Sequence, residues 1–305
     1  MAEVLAGADG VLLNRRALRE CLGGWPDERL DIAIRELWAL GAPLVIGPEG
    51  VGLRQFDSLD REWLESRVDV ELLVTRVCTS TNELARRWCG SLPVLCLGEA
   101  QTLGRGRHGR LWKQSYGSGL ALSLAVRSRP EDRGPVALAL AVALVQMLRT
   151  LGYGDVGLKW PNDFYSRGAK LGGLLVLAES GVESRLIVGL GLNVHHAPHV
   201  SGRKTIALAD LMSGSRRNPL VVRCLEALLS GLELYRSRGF NAFIGAWQAQ
   251  DVLQGKEVVI ETGQRSRISG IACGVDGGGA LKIQSSGGMR RVLSGEVTLG
   301  AWTGG

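Results

Sequence analysis

Between positions 104 and 112 the chain reads Gly104-Arg105-Gly106-Arg107-His108-Gly109-Arg110-Leu111-Trp112. Three glycines let backbone amides approach an anion closely, and three arginines offer forked donors for phosphate or carboxylate. The pattern suits a loop folding over a phosphate-bearing ligand. It also suits a flexible basic loop or an Arg/Gly segment that binds RNA. No Gly-Lys-Ser/Thr follows, so this is not a Walker loop. A second group, Lys159-Trp160-Pro161-Asn162-Asp163, puts a cation, an amide and a carboxylate within five residues. That set could hold phosphates together with Mg2+, which prefers one or two carboxylates plus substrate phosphates. Pro-Asn-Asp is equally a good turn. Lys170, at the mouth of a glycine-bearing strand in Lys170-Leu171-Gly172-Gly173, could neutralise an anion, though a lysine there is commonly just solvated.

Ser80-Thr81-Asn82-Glu83 precedes an apolar pair and has the spacing of a capping box, with Ser80 and Glu83 as the reciprocal caps. The same helix start makes a donor-rich place for a small ligand. Two further patterns lead nowhere chemically. Gly189-Leu190-Gly191 lacks the third glycine and the following helix of a dinucleotide fingerprint. His195, His196 and His199 lie in a loop broken by Pro198 with no Cys, Asp or Glu nearby in sequence, so no tightly bound metal is expected.

These groups need elements to hold them, and three segments separate on pattern. Residues 1–62 read as helix, turn, helix and hairpin: a helix over 15–22 ended by Gly23-Gly24, a second opened by Pro26 and stopped by Gly41, then strands at 43–46 and 51–53. That order predicts a winged helix-turn-helix. Residues 66–250 alternate strands (93–97, 119–126, 157–160, 172–177, 185–194) with helices over 136–151 and about 219–235, predicting a mixed-sheet catalytic domain and an α+β chain. Residues 252–305 carry short β-rich runs at 257–260, 266–271, 280–283 and 290–293 between glycine-rich turns, the pattern of a small barrel.

Charge divides along the same lines. The chain carries a net +6, but residues 1–62 hold seven Arg and eleven Asp and Glu, a net of −4, which leaves +10 for the rest. Anion binding therefore belongs to the larger part. The six cysteines are scattered with no Cys-x-x-Cys, so neither a zinc site nor a disulfide framework is indicated. The longest apolar run, 136–148, falls short of the ~20 residues that span a bilayer and contains Gln146. With no signal-like start, a cytoplasmic protein without membrane association is expected.

Taken together and in order, Ser80-Thr81-Asn82, Gln101, residues 104–110 with Trp112, residues 159–163, residues 170–173 and Gly191-Leu192-Asn193 resemble the biotin–protein ligase family, in the bifunctional BirA-like form that also represses biotin genes. The likeness extends to Gly295-Glu296 near the end of the chain. It implies ATP-dependent formation of biotinyl-5'-AMP and transfer of biotin to a lysine of an acceptor, the biotin carboxyl carrier protein of acetyl-CoA carboxylase. By that likeness Ser80, Thr81, Asn82, Gln101 and Gly173 line the biotin pocket. Arg105, Gly106 and Arg107 wrap the adenylate, and Trp112 closes the nucleotide side. Lys170 sits where negative charge grows, so Lys170, Arg105 and Arg107 are the catalytic candidates. Lys159, Asn162, Asp163 and Asn193 serve ATP and Mg2+. The core is implied to be of the class II synthetase and lipoate-ligase type, ending in an SH3-like domain.

The sequence departs from the family at His108, where arginine is common, at Thr79, where an acid is common, and at Leu177, where glutamate is frequent. None of these removes a residue assigned to chemistry. The candidate recognition helix departs more, with Asp27, Glu28, Asp31 and Glu36 against Arg29 and Arg35. That acidity argues against strong binding of operator DNA. Arg15, Arg16 and Arg19 cluster on the preceding helix, however, and a symmetric homodimer would double a weak contact, so operator DNA stays open as a partner. A lipoate-type ligase on the same core and a regulator that only senses biotin are the competing readings.

Overall fold

The computed structural model describes residues 1–132, 134–179, 184–262 and 266–299. The N-terminal segment opens with α1 (Ala2–Gly7), α2 (Arg15–Cys21) and α3 (Asp27–Ala39). Asn14 caps α2 by accepting the Ala17 N–H at 2.9 Å. Gly41, at φ +72°, ends α3 in the left-handed region that glycine reaches without strain. Strands β1 (Leu44–Gly47) and β2 (Gly50–Leu53) then pair across a Pro48-Glu49 turn, with Gly47 opposite Gly50. Leu5, Leu18, Leu30, Leu37, Val51 and Leu53 fill one core. Each fully buried leucine is worth about 1.5–3 kcal/mol. Ala100 and Tyr116 belong to the same core, so this segment packs directly on the strands that follow it in space.

Next come α4 (Arg61–Glu65), β3 (Glu71–Cys78), α5 (Thr81–Arg87), β4 (Val94–Gln101) and β5 (Gly119–Arg127). β3 and β4 are parallel, joined by α5 as the crossover, whereas β4 and β5 are antiparallel, so the sheet is mixed as expected. Strand β3 was not foreseen from sequence.

Beyond β5 the chain forms α6 (Val136–Thr150), β6 (Gly157–Lys159), β7 (Asp163–Ser166), β8 (Ala169–Glu179), β9 (Arg185–Asn193), α7 (Arg217–Arg238) and α8 (Ile244–Gln250). α6 is apolar nearly all round and buries ten of its fifteen residues, the signature of a core helix rather than a surface one. β6, β7 and β8 are consecutive antiparallel partners. The end of the described chain is a five-stranded antiparallel sheet of β10 (Glu257–Thr262), β11 (Ser266–Val275), β12 (Leu281–Ser285), β13 (Gly288–Val292) and β14 (Glu296–Leu299), in the order β13-β12-β11-β10-β14. β14 extends the four strands expected there. No helix among the described residues is long and apolar enough to cross a membrane.

The chain packs as two compact units. One comprises residues 1–125, 189–199 and 207–221; the other comprises 126–188, 200–206 and everything from 222 on. Each carries one group of the residues singled out above.

Candidate active site

In the first unit, the polar residues gather where β4 and β5 meet the start of α5. Gln101, at the end of β4, accepts the Thr81 N–H on its Oε1 at 2.8 Å, with Thr81 Oγ1 at 3.2 Å. Thr81 Oγ1 and Asn82 Oδ1 lie 2.8 and 2.7 Å from the hydroxyl of Ser123, a fully buried β5 residue that sequence reasoning missed. The expected capping box is not formed. Ser80 makes no side-chain cap, and Glu83 turns to Arg86 and Arg87, whose guanidinium groups hold its carboxyl down at about 2. Glu83 is drawn along its own helix to these two guanidinium groups instead of reaching back to the Ser80 N–H, while Gln101 takes the Thr81 N–H and Ser80 and Thr81 are buried.

The glycine/arginine loop leaves this cluster directly. A bridge between Arg105 and Leu111, the Gly106 N–H on the Arg110 carbonyl at 2.7 Å, and the Trp112 N–H on the Gly104 carbonyl at 2.8 Å fold it into a tight hairpin. Arg105 and Arg110 stand exposed on it, with Arg107 half-buried. Gly104 is needed because a Cβ there would come within 2.8 Å of both Gln101 Nε2 and the Trp112 carbonyl.

The Gly189-Leu190-Gly191 run now has a function that is steric rather than nucleotide-binding. A Cβ on Gly189 would overlap the Asn82 amide, and one on Gly191 would overlap the Trp112 ring. Both glycines of β9 therefore clear space for residues assigned to ligand contact. Asn193, two residues on, is buried.

Beside these groups runs a buried ionic network that sequence could not reveal. Glu99 of β4 and Arg217 of α7 are both fully buried and meet at 2.6 Å. Arg217 also donates to the Gly119 and Asp57 carbonyls, and Glu99 accepts the Leu59 N–H at 2.7 Å. Asp57 takes the Arg217 N–H at 2.6 Å and pairs with the His195 ring at 2.9 Å. Burial resists ionisation of Asp57, but the His195 and Arg217 hydrogen bonds outweigh it and hold the carboxyl below its ordinary range. The His195 loop thus finds a carboxylate 138 residues away. No cluster fit to hold a metal occurs among the described residues.

In the second unit, Lys159 ends β6 and Asp163 begins β7, so residues 160–162 form the turn between them. Trp160 is buried and donates its ring N–H to the Gly279 carbonyl at 3.0 Å. Asn162 spends its amide N–H on the Leu174 carbonyl at 2.6 Å, which fixes the turn against β8. Asp163 Oδ1 lies 2.6 Å from Lys170 Nζ, and neither group is more than a quarter exposed. Lys170 is gripped through its backbone as well, by the Lys204 carbonyl at 2.9 Å and the Ile206 N–H at 3.0 Å. Gly173 faces the pair: a Cβ there would stand 3.1 Å from Asp163 Oδ1 and 3.6 Å from Lys170 Nζ. Lys159 lies against the Tyr165 hydroxyl at 3.2 Å, and burial pushes its pKa down from the usual lysine value.

Comparison with known proteins decides the lineage. Residues 74–193 match the Biotin/lipoate A/B protein ligase family, and residues 254–300 match the Biotin protein ligase C terminal domain. The chain is 31% identical to the bifunctional ligase/repressor BirA of Escherichia coli over 235 residues, 74% of this chain and 73% of that protein. It belongs to the biotin–protein ligase family. A second bifunctional ligase/repressor BirA, from Salmonella typhimurium, is 30% identical over 79% of this chain and 78% of its own length. The biotin protein ligase from Aquifex aeolicus, solved in complex with biotin and ATP, superposes with a TM-score of 0.66 at 26% identity, covering 75% of this chain and 98% of that one. The match of residues 254–300, to a domain described for biotin protein ligases, weighs against the lipoate reading. Membership also makes this an ATP-dependent ligase, as the sequence led us to expect.

Proposed function

We propose that this ligase activates biotin with ATP and transfers it to a lysine of a biotin carboxyl carrier protein. A biotin carboxylate oxygen attacks the α-phosphorus of Mg–ATP, and the bond to pyrophosphate breaks. The product is biotinyl-5'-AMP. The neutral amine of the acceptor lysine then attacks the acyl carbon, loses a proton and displaces AMP. The observation that carries the reading is Lys170, held at 2.6 Å by Asp163 with the bare backbone of Gly173 beside them. A fixed ammonium with open space next to it suits charge that develops on a phosphate in the transition state.

The remaining assignments follow the family resemblance. Ser80, Thr81, Asn82 and Gln101 receive the polar ring of biotin, and Gly173 leaves room. Arg105, Gly106 and Arg107 cover the adenylate, with Trp112 against its base. Lys159, Asn162, Asp163 and Asn193 serve Mg–ATP. One carboxylate with substrate phosphates is an ordinary magnesium environment, so the metal enters with the nucleotide as substrate. We read residues 1–62 as a winged helix-turn-helix, 66–250 as the catalytic domain and 252–305 as an SH3-like domain, in a cytoplasmic enzyme. The helix, helix and hairpin order supports the first of these. Its arginines do not support repression, because Arg15 and Arg19 are tied to Asp27 and Asp31.

The test is labelling of a purified biotin carrier domain with biotin and ATP, read with streptavidin. Labelling that needs both reactants and the carrier lysine supports the proposal. No labelling, or labelling only with lipoate, would overturn it.

A further inference from the structure

Ser123 sits in the middle of β5, fully buried, with Thr81 Oγ1 at 2.8 Å and Asn82 Oδ1 at 2.7 Å. A serine hydroxyl owns one proton, so it cannot donate to both. Asn82 Oδ1 has none to give. Ser123 therefore donates to Asn82 and accepts from the Thr81 hydroxyl. That leaves Gln101 Oε1 to the Thr81 backbone N–H, in keeping with its closer 2.8 Å approach there against 3.2 Å to Thr81 Oγ1. The chain of hydrogen bonds runs one way, from Thr81 through Ser123 to Asn82. At its end the Asn82 oxygen is engaged, while its NH2 group has no partner among the described residues and the residue is only half-buried. Gly189 lies close against the same amide, where a Cβ would come within 2.3 Å of Oδ1 and 2.7 Å of Nδ2.

We propose that Ser123 is a positioning residue that fixes the Asn82 amide with its donor end toward the ligand, and that Gly189 preserves the space this orientation needs. Without Ser123 the Asn82 Oδ1 loses the hydrogen bond that holds the amide as it stands, and a rotated Asn82 would present an acceptor instead. The ligand group that suits a fixed NH2 donor is the carbonyl oxygen of a cyclic urea, so the inference rests on the biotin reading above. Ser123 acts through Asn82 and touches no reacting atom.

The test is biotin binding to the full chain by titration calorimetry without ATP, with melting temperature measured on the same samples. Ser123→Ala, Asn82→Ala and Gly189→Ala should each weaken biotin on the order of tenfold, the cost of one lost or misdirected hydrogen bond. Because Ser123 works through Asn82, the double variant Ser123→Ala with Asn82→Ala should bind within about threefold of Asn82→Ala alone. Ser123→Cys, similar in size but a poor donor, should fall between wild type and Ser123→Ala. It and Gly189→Ala carry the test if Ser123→Ala fails to fold. Biotin binding within twofold of wild type in Ser123→Ala, or fully additive losses in the double variant, overturns the inference, whatever happens to the melting temperature. Absence of binding by the wild-type chain would instead overturn the biotin reading, and this inference with it.

Discussion

Removing Glu99 should destabilise the protein more than removing any exposed charge. Glu99 and Arg217 are both fully shielded from water, and their 2.6 Å contact is joined by the Leu59 amide and, at 3.4 Å, by Arg76. Glu99→Ala would leave the Arg217 guanidinium buried without its counter-charge, a change that typically costs 3–5 kcal/mol. Two carbonyls, Gly119 and Asp57, still accept from Arg217, so the lower end, about 3 kcal/mol, is expected. Against total stabilities of about 5–15 kcal/mol that is a large share. It corresponds to a fall in melting temperature on the order of 10 °C. Glu99→Leu combined with Arg217→Met removes both charges and should cost clearly less than the two single changes added together. Urea unfolding of the wild type, Glu99→Ala, Glu99→Leu, Arg217→Met and the double variant gives these values. A Glu99→Ala cost below about 1 kcal/mol, or simple additivity in the double variant, would refute the argument that the pair is a mutually dependent buried unit.

Three other outcomes are expected. Arg107→Gly should weaken the cover over the adenylate, so that activated biotin escapes and labels bystander lysines; labelling of serum albumin at the wild-type level would contradict this. Asp57 has a folded pKa below its unfolded value of 3.8, so its contribution is full above that value and is lost as pH falls through the folded one. The stability gap between wild type and Asp57→Asn should therefore shrink below about pH 4 in urea titrations across pH 3–7, and a constant gap would argue against it. The N-terminal segment should bind DNA weakly or not at all, because its acidic α3 pairs with Arg15 and Arg19 of α2. A mobility shift on a biotin-gene promoter with Kd tighter than about 10⁻⁸ M would show otherwise.

The sequence was most informative where local rules suffice. Pro26, Gly41 and the Gly47-Pro48-Glu49-Gly50 turn marked α3 and the hairpin within a residue or two, because caps and turns depend on neighbours in the chain. Strand β3 escaped notice because it is only partly buried and carries Glu71, Thr75 and Arg76 among its apolar residues. β7 was not foreseen either: it is only four residues long and begins on Asp163, the last residue of the Lys159–Asp163 motif. Of the candidate site, the residue types and their order were legible, but their hydrogen-bond partners were not. Ser123 is 41 positions from Asn82, and Arg217 is 118 from Glu99. Nothing local signals such pairings. The glycines of β9 show the converse: a pattern that is misleading as a phosphate loop becomes intelligible once Asn82 and Trp112 are seen lying over them.

The central claim is that Lys170 supports adenylation of biotin, and exchange of labelled pyrophosphate into ATP measures that step without any acceptor protein. Wild-type enzyme should catalyse exchange only when biotin is present. Lys170→Ala should retain its melting temperature within a few degrees, since its loss opens no large core cavity, and should lose exchange by on the order of 10²–10³. Exchange independent of biotin, or a Lys170→Ala rate within a few fold of wild type, would contradict the account.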